Sequence, residues 1–232
     1  DEMYRAQEGY PIGFFYGYKT AGIFQNQEEI DNYKKAKLSD AKPGDVIWVD
    51  HNDDGVIDLN DRCMIGDPHP DCTYGLSFNF GWRGFDISAT MNGVTGNQIM
   101  KSYRSFVDYP HNNFTSDILQ RWHGDGTSDK WPRLTSGTST NCQYVSDLYM
   151  ENGDFVRMQN ITVGYDFKKL FKSVPMQELR VYFSANNLFT ITGYSGMDPE
   201  VGYGGGSAWT SGIDLGFYPS PRTYIFGVNI KI

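Results

Sequence analysis

TYGLSFNFGW, residues 73 to 82, and FDISATMN, residues 85 to 92, decide what kind of chain this is. In the first segment Tyr74, Leu76, Phe78, Phe80 and Trp82 fall on one side of an extended backbone, and Gly75, Ser77, Asn79 and Gly81 on the other. In the second, Phe85, Ile87, Ala89 and Met91 oppose Asp86, Ser88, Thr90 and Asn92. Side chains of a strand alternate between faces, so this period of two predicts two strands, each apolar on one side and polar on the other. Arg83–Gly84 between them makes a two-residue turn, and the pair reads as an antiparallel hairpin.

The same alternation returns three more times. Ile161, Val163, Tyr165 and Phe167 oppose Thr162, Gly164 and Asp166. Leu179, Val181, Phe183 and Ala185 oppose Arg180, Tyr182, Ser184 and Asn186. In the closing segment RTYIFGVNIKI, Tyr224, Phe226, Val228, Ile230 and Ile232 share a side. Long irregular stretches, rich in aromatic residues and glycine, lie between these strands at 94 to 154 and 193 to 221. Helical signals are confined to NQEEIDNYKKA (26 to 36) and TSDILQRW (115 to 122), each two or three turns at most.

Composition narrows the classes. At 232 residues the chain has length for one large or two small domains. Its net charge is −8, and no Lys/Arg run exceeds a dipeptide. Nucleic acid is therefore excluded as a partner, because phosphates need a basic face. The three cysteines, Cys63, Cys72 and Cys142, cannot all pair together. Cys63 and Cys72 could close a short loop or stay as two free thiols. No apolar run is long enough for a transmembrane helix, which leaves strands as the one way to cross a bilayer. The opening DEMYRAQ carries no leader, and the chain reads as part of something longer.

Two architectures fit the strands. In a soluble antiparallel sandwich the apolar faces would meet in a core. In an outer-membrane barrel they would face lipid around a polar interior. Small residues and isolated charges on the polar faces favour the barrel. So do the aromatics at strand ends (Tyr74, Trp82, Phe85, Tyr165, Phe167, Tyr224) and the alternation of long loops with tight turns. Gly227, Ile230 and Ile232 in GVNIKI resemble a barrel-closing strand, with Ile232 where an aromatic residue is usual.

VDHNDDGVIDLND, residues 49 to 61, carries the strongest chemical signal. Read from Asp50, it matches a twelve-residue calcium loop. Asp50, Asn52, Asp54 and Asp58 stand at oxygen-ligand positions, Val56 offers its backbone carbonyl, Gly55 makes the sharp turn and Asp61 closes in place of the usual Glu. The flanks are not those of an EF-hand, since GDVIWV before it reads as a strand. Oxygen donors so close together repel unless a cation neutralises them. Ca²⁺ is the expected ion, with Mg²⁺ geometrically less comfortable, and its role would be structural. The alternative is an Asx-rich turn held by its own hydrogen bonds. Asp198 and Glu200, two apart around Pro199, do not make a hydrolase acid pair. His51, His69, His111 and His123 lack metal spacing, and GYGGG (202 to 206) lacks the ending of a phosphate loop.

Several segments together resemble the C-terminal part of SusC/RagA-type TonB-dependent outer-membrane transporters. They are residues 9 to 31, 42 to 79, 155 to 167, 179 to 201 and 213 to 232. The acidic loop, NNLFTIT (186 to 192), Y-S-G-x-D-P-E (194 to 200) and Y-P-x-x-R-T (218 to 223) are the specific elements. The resemblance implies an all-β fold in which residues 1–232 supply the C-terminal portion of a transmembrane antiparallel barrel of about 22 strands with long extracellular loops. The plug and the TonB-contacting segment would be absent from this chain. It implies a multi-pass β-barrel in the outer membrane of a Gram-negative bacterium, in contact with the lipid bilayer. It further implies partnership with a SusD-like surface lipoprotein lid and the TonB complex, and transport without catalysis. The cargo would be oligosaccharide, or peptide as in the RagA branch. A soluble calcium-dependent carbohydrate-binding β-sandwich is the alternative from another class. Among the loop aromatics, Trp122, Trp131, Tyr203, Trp209 and Tyr218 are the candidates for substrate contact, against a plainer role in loop packing that also applies to Tyr144.

Overall fold

In the computed structural model, the described residues are 2–102, 115–135, 141, 144–171, 173, 175–201 and 211–232. They carry strands β1 (Tyr4–Arg5), β2 (Phe14–Gly17), β3 (Thr20–Ile23), β4 (Val46–Trp48), β5 (Cys63–Gly66), β6 (Cys72–Trp82), β7 (Phe85–Thr95), β8 (Gln98–Lys101), β9 (Met150–Asn152), β10 (Phe155–Asp166), β11 (Glu178–Thr192), β12 (Ile213–Asp214) and β13 (Thr223–Lys231), and one short helix, α1 (Gln27–Asn32). The chain divides into two units. One comprises Asp1–His69, Gln98–Glu151 and Val201–Gly216; the other comprises Pro70–Asn97, Asn152–Glu200 and Phe217–Ile232.

The second unit is built on a five-stranded antiparallel sheet in the order β13-β11-β10-β7-β6. All five strands are those expected from the alternating pattern. The hairpin turn has Arg83 at φ 50° and Gly84 at φ 93°, with Trp82 facing Phe85 across the ladder. Two positive φ values give the turn a twist that matches that of its strands. On the polar face, Arg180 grips Asp86 through Nε (2.8 Å) and Nη2 (2.5 Å). Asn160 donates to Ser184 Oγ (3.1 Å) and Asn186 Oδ1 (2.7 Å). Tyr182 faces Gly227 across the β11–β13 ladder, and its ring occupies the space that a Cβ at Gly227 would need. The opposite face is apolar and open: Leu76, Phe78, Phe80 and Trp82 on β6, and Tyr224, Phe226, Val228 and Ile230 on β13, are all exposed. Apolar patches of this extent mark contact surfaces.

The expectation of a 22-stranded transmembrane barrel is not met. Among the described residues the sheets have three, five, three and two strands, and none closes on itself. β6 and β13 are the free edges of the largest. Five strands are too few to close, since about eight are needed for an interior that side chains can fill. The multi-pass outer-membrane barrel expected for the chain is corrected on the same ground: this is an all-β fold of open sheets. Among the described residues no helix is long and apolar enough to cross a membrane.

The first unit holds three small sheets and most of the buried hydrophobic side chains among the described residues. One cluster gathers Tyr18, Ile23, Val46, Trp48, Trp131 and Leu148; a second gathers Phe15, Ile65, Met100 and Ile213; a third gathers Phe24, Ile30 and Ile47. GDVIWV does form a strand, β4, buried throughout. The two helical signals are realised in shortened form. Asn26 caps α1 by accepting from Glu29 N (2.9 Å), and Ser116–Gln120 forms a 3₁₀ turn. Neither has the length to be stable without its packing. Cys63 and Cys72 are both free thiols.

Because the Tyr182 ring fills the space beside Gly227, Gly227→Val should force that ring aside. The expected loss is about 1–3 kcal/mol of unfolding free energy, read from the urea midpoint at unchanged slope. A midpoint equal to wild type would refute this packing.

Candidate functional site

Within the second unit, one arginine ties four segments together. Arg157 on β10 is 3% exposed. It donates through Nε to Thr190 Oγ1 on β11 (3.0 Å), through Nη1 to Glu200 Oε2 (2.8 Å) and through Nη2 to Asp198 Oδ1. Asp198 in turn accepts from Glu200 N (3.0 Å) and, at its other oxygen, from Ser220 N (3.1 Å). Burial pushes the Asp198 carboxyl up. The two backbone donors and the Arg157 guanidinium outweigh that and hold it below the usual carboxylate range. Arg157 reaches the polar face through a register shift between Met158 and Asn160, where a bulge reverses the alternation.

The clamp forms the floor of an open cleft of about 480 Å³ whose lining includes Thr190, Met197, Asp198, Tyr218, Ser220 and Arg222. Asn187, at φ 52°, donates from Nδ2 to Pro221 O (3.1 Å). The loop carrying Tyr218 and Arg222 is thus fastened at Ser220 and again at Pro221. Tyr218 is 90% exposed.

The acidic loop lies in the first unit. Asp50 accepts from Asp54 N (3.2 Å) and Gly55 N (2.8 Å), Asn52 from Asp54 N (3.1 Å), and Asp54 from Val56 N (2.9 Å). Asp61, fully buried, accepts from His51 N (2.8 Å) and Asp58 N (2.7 Å). Asp58 caps the 3₁₀ turn Leu59–Asp61 by accepting from Asn60 N (2.7 Å). Gly55 takes φ 85°, as its turn position requires. The side-chain oxygens are thus engaged by the loop's own backbone. Among the described residues, no group of three or more His, Cys, Asp or Glu side chains converges as a metal cage.

The aromatic candidates separate. Trp131 is 7% exposed and sits in the core cluster with Trp48 and Tyr18. Trp122 is half-buried against that cluster and donates from Nε1 to Gln25 Oε1 (3.2 Å). Tyr144 stacks on Tyr18 at 4.6 Å. Tyr218 alone of the described candidates is bare and lines a cleft. Tyr203 and Trp209 lie outside the described residues. Asp198 and Glu200 are both bound to Arg157, which leaves neither as an acid or base for hydrolysis. Asn187 and Arg222 stand in the NNLFTIT and Y-P-x-x-R-T segments without a role assigned to either, and Arg157 escaped the sequence pattern. The one trace of Arg157 was an arginine in FVRMQN, just ahead of the alternating stretch that begins at Ile161.

No family model matches the sequence. The chain is 32% identical over 233 residues to TonB-dependent receptor P3 of Formosa agariphila, covering 97% of this chain and 22% of that protein. It is 31% identical over 201 residues to TonB-dependent receptor SusC of Bacteroides thetaiotaomicron, covering 86% of this chain and 19% of that one. It thus spans about a fifth of the length of these relatives. In fold it is similar to structures of the RagAB peptide importer. In the open-open state the TM-score is 0.67 at 22% identity, covering 99% of this chain and 24% of that one. A further RagAB structure gives 0.68 at 23% identity, covering 97% and 23%.

Asp198→Asn should remove the charge that the clamp is built around. A buried pair that loses one member costs about 3–5 kcal/mol; retention of Glu200 by Arg157 places the expected loss near the lower end, about 3 kcal/mol. Because the folded carboxyl titrates below its ordinary value of 3.8, its contribution is complete above that pH and is lost as pH falls through the folded value. Wild type should therefore lose stability below about pH 4 more steeply than Asp198→Asn. Parallel pH profiles for the two proteins would contradict the clamp.

Proposed function

The chain is homologous to TonB-dependent receptors of the SusC/RagA type, and from that premise we propose that it serves TonB-dependent import of a large nutrient. The observation that carries the reading is 32% identity to such a receptor along 97% of the chain. These homologues are TonB-dependent transport proteins, a non-catalytic family, and the chain is not an enzyme. Within them it corresponds to the C-terminal part, a placement supported by the order of its NNLFTIT, Y-S-G-x-D-P-E and Y-P-x-x-R-T segments. The proposed partners are a SusD-like surface lipoprotein and the TonB complex.

Peptide is the cargo we place first. Solved structures that share this fold include those of a peptide importer. Oligosaccharide is the second reading. Deleting the coding region in the source organism should abolish most accumulation of labelled oligopeptides, as should loss of TonB, and leave oligosaccharide uptake intact. Undiminished uptake of both cargo classes in the deletion strain would sink the import reading. Loss of oligosaccharide uptake alone would reverse the order of cargoes.

For the 50–61 loop we propose a structural Ca²⁺ held by Asp50, Asn52, Asp54, Asp58, Asp61 and the Val56 carbonyl, with Mg²⁺ the weaker competitor. Ligand spacing supports it, as does the lack of an ion pair to any of the loop's aspartates among the described residues. Calcium should raise the melting temperature of wild type over an EDTA control, and Asp54→Ala should lose that rise. Equal metal content in mutant and wild type defeats the proposal.

A further inference from the structure

We propose that the cleft above the Arg157–Asp198 clamp is a recognition site for the carboxylate end of a short peptide, with Arg222 as the anion partner and Tyr218 as the stacking surface. The proposal deepens the import reading and rests on it for the cargo class. Three observations carry it.

The first is charge accounting inside the cleft. Arg157 has its Nε and both terminal nitrogens engaged by Thr190, Asp198 and Glu200, so it has little left to offer a ligand. Both oxygens of Asp198 are likewise engaged. Arg222 lines the same cleft and forms no ion pair or hydrogen bond with any described residue. The clamp sets one guanidinium against two carboxylates and keeps a net negative charge, so Arg222 is the guanidinium of this cleft left open to an anion. A planar guanidinium matches a carboxylate with two parallel N–H···O bonds, which is the strong form of this contact.

The second is preorganisation. Ser220 N is held by Asp198 and Pro221 O by Asn187. Pro219 and Pro221 restrict the backbone further. The backbone that carries Tyr218 and Arg222 is therefore held in place in the absence of any ligand, which removes part of the ordering cost that opposes binding. The third is Tyr218 itself, 90% exposed on a loop that is otherwise pinned. A bare ring of this kind gives a flat apolar surface with little rotamer entropy to lose, suited to the side chain or backbone plane next to a terminal carboxylate.

The test uses calorimetry on the full chain with three probes: a hexapeptide without acidic side chains and with a free C-terminus, its C-terminally amidated counterpart, and a uronic acid trisaccharide. Wild type should bind the free-acid peptide roughly tenfold more tightly than the amide. Arg222→Gln should erase that difference, Arg222→Lys should restore part of it, and Tyr218→Ala should weaken both peptides together. Arg222 and Tyr218 are exposed, so these variants should fold as wild type does, which near-ultraviolet circular dichroism checks. Equal affinity for acid and amide, an Arg222→Gln profile identical to wild type, or Arg222-dependent binding of the uronate alone would each overturn the peptide site. Failure here is separable from failure of import. Peptide uptake that ignores Arg222→Gln removes the site and leaves the transport reading standing. Arg222-dependent binding without uptake does the reverse.

Discussion

One extra residue in β10 governs what the second unit can build. Asn160 and Met158 face Thr90 and Met91 on β7, neighbours in sequence, so Gln159 between them has no partner there. On the other side the same step runs from Asn186 to Phe189 on β11, and Asn187 takes a left-handed conformation within it. With strict alternation Arg157 would share the apolar face of Ile161 and Val163. The shift turns it instead toward Asn92 and Thr190 on the polar face. From there its guanidinium reaches Asp198, and Asp198 reaches the loop of Ser220. A bulge sacrifices ladder regularity at one residue; here it re-aims the side chain that secures two loops.

Much of the sheet was legible because its physics is local. Alternation over Tyr74–Trp82 and Phe85–Met91 reports which residues share a face, and Arg83–Gly84 reports a tight turn. The acidic segment reads as a calcium loop with an Asx-rich turn as the alternative, and its Asp and Asn oxygens do accept from the loop's own backbone. Closure was not legible. Period two says how a strand divides its faces, and nothing in it counts strands or states whether the last meets the first. Nor was the clamp. Arg157 and Asp198 are 41 residues apart, and Y-S-G-x-D-P-E reads locally as a turn around Pro199. The partner that makes Asp198 structural is set by the bulge, which leaves no mark in a hydrophobic pattern. Trp131 shows the converse: its setting, among glycine and charged residues, reads as loop, yet its ring completes a core whose other members are remote in sequence.

The two acidic features solve the same electrostatic problem differently. Asp198 is buried, so its charge needs donors, and it has two backbone N–H groups and a guanidinium. Asp61 is more deeply buried and has the backbone donors of His51 and Asp58. Asp50 is half-buried, while Asp53, Asp54 and Asp58 are exposed, where water and ions screen them. Screening at the three exposed aspartates, with backbone donors at Asp50 and Asp61, explains how the loop tolerates five aspartates within twelve residues.

The clamp is better understood as a device for orientation than as a source of stability. A buried ion pair returns little over a well-packed apolar pair once desolvation is counted, so stability alone gives no reason to keep one. Yet an apolar replacement here would strand Glu200 N and Ser220 N, each without its acceptor, at about 1–3 kcal/mol apiece where buried. Those donors belong to the two loops that wall the cleft. The carboxylate is needed because it alone can accept from both loops and still face Arg157, and Arg157 is needed because an unpaired buried carboxylate would take up a proton and loosen its grip on them. The order of dependence runs from the bulge to the arginine, from the arginine to the aspartate, and from the aspartate to the loop that presents Tyr218 and Arg222.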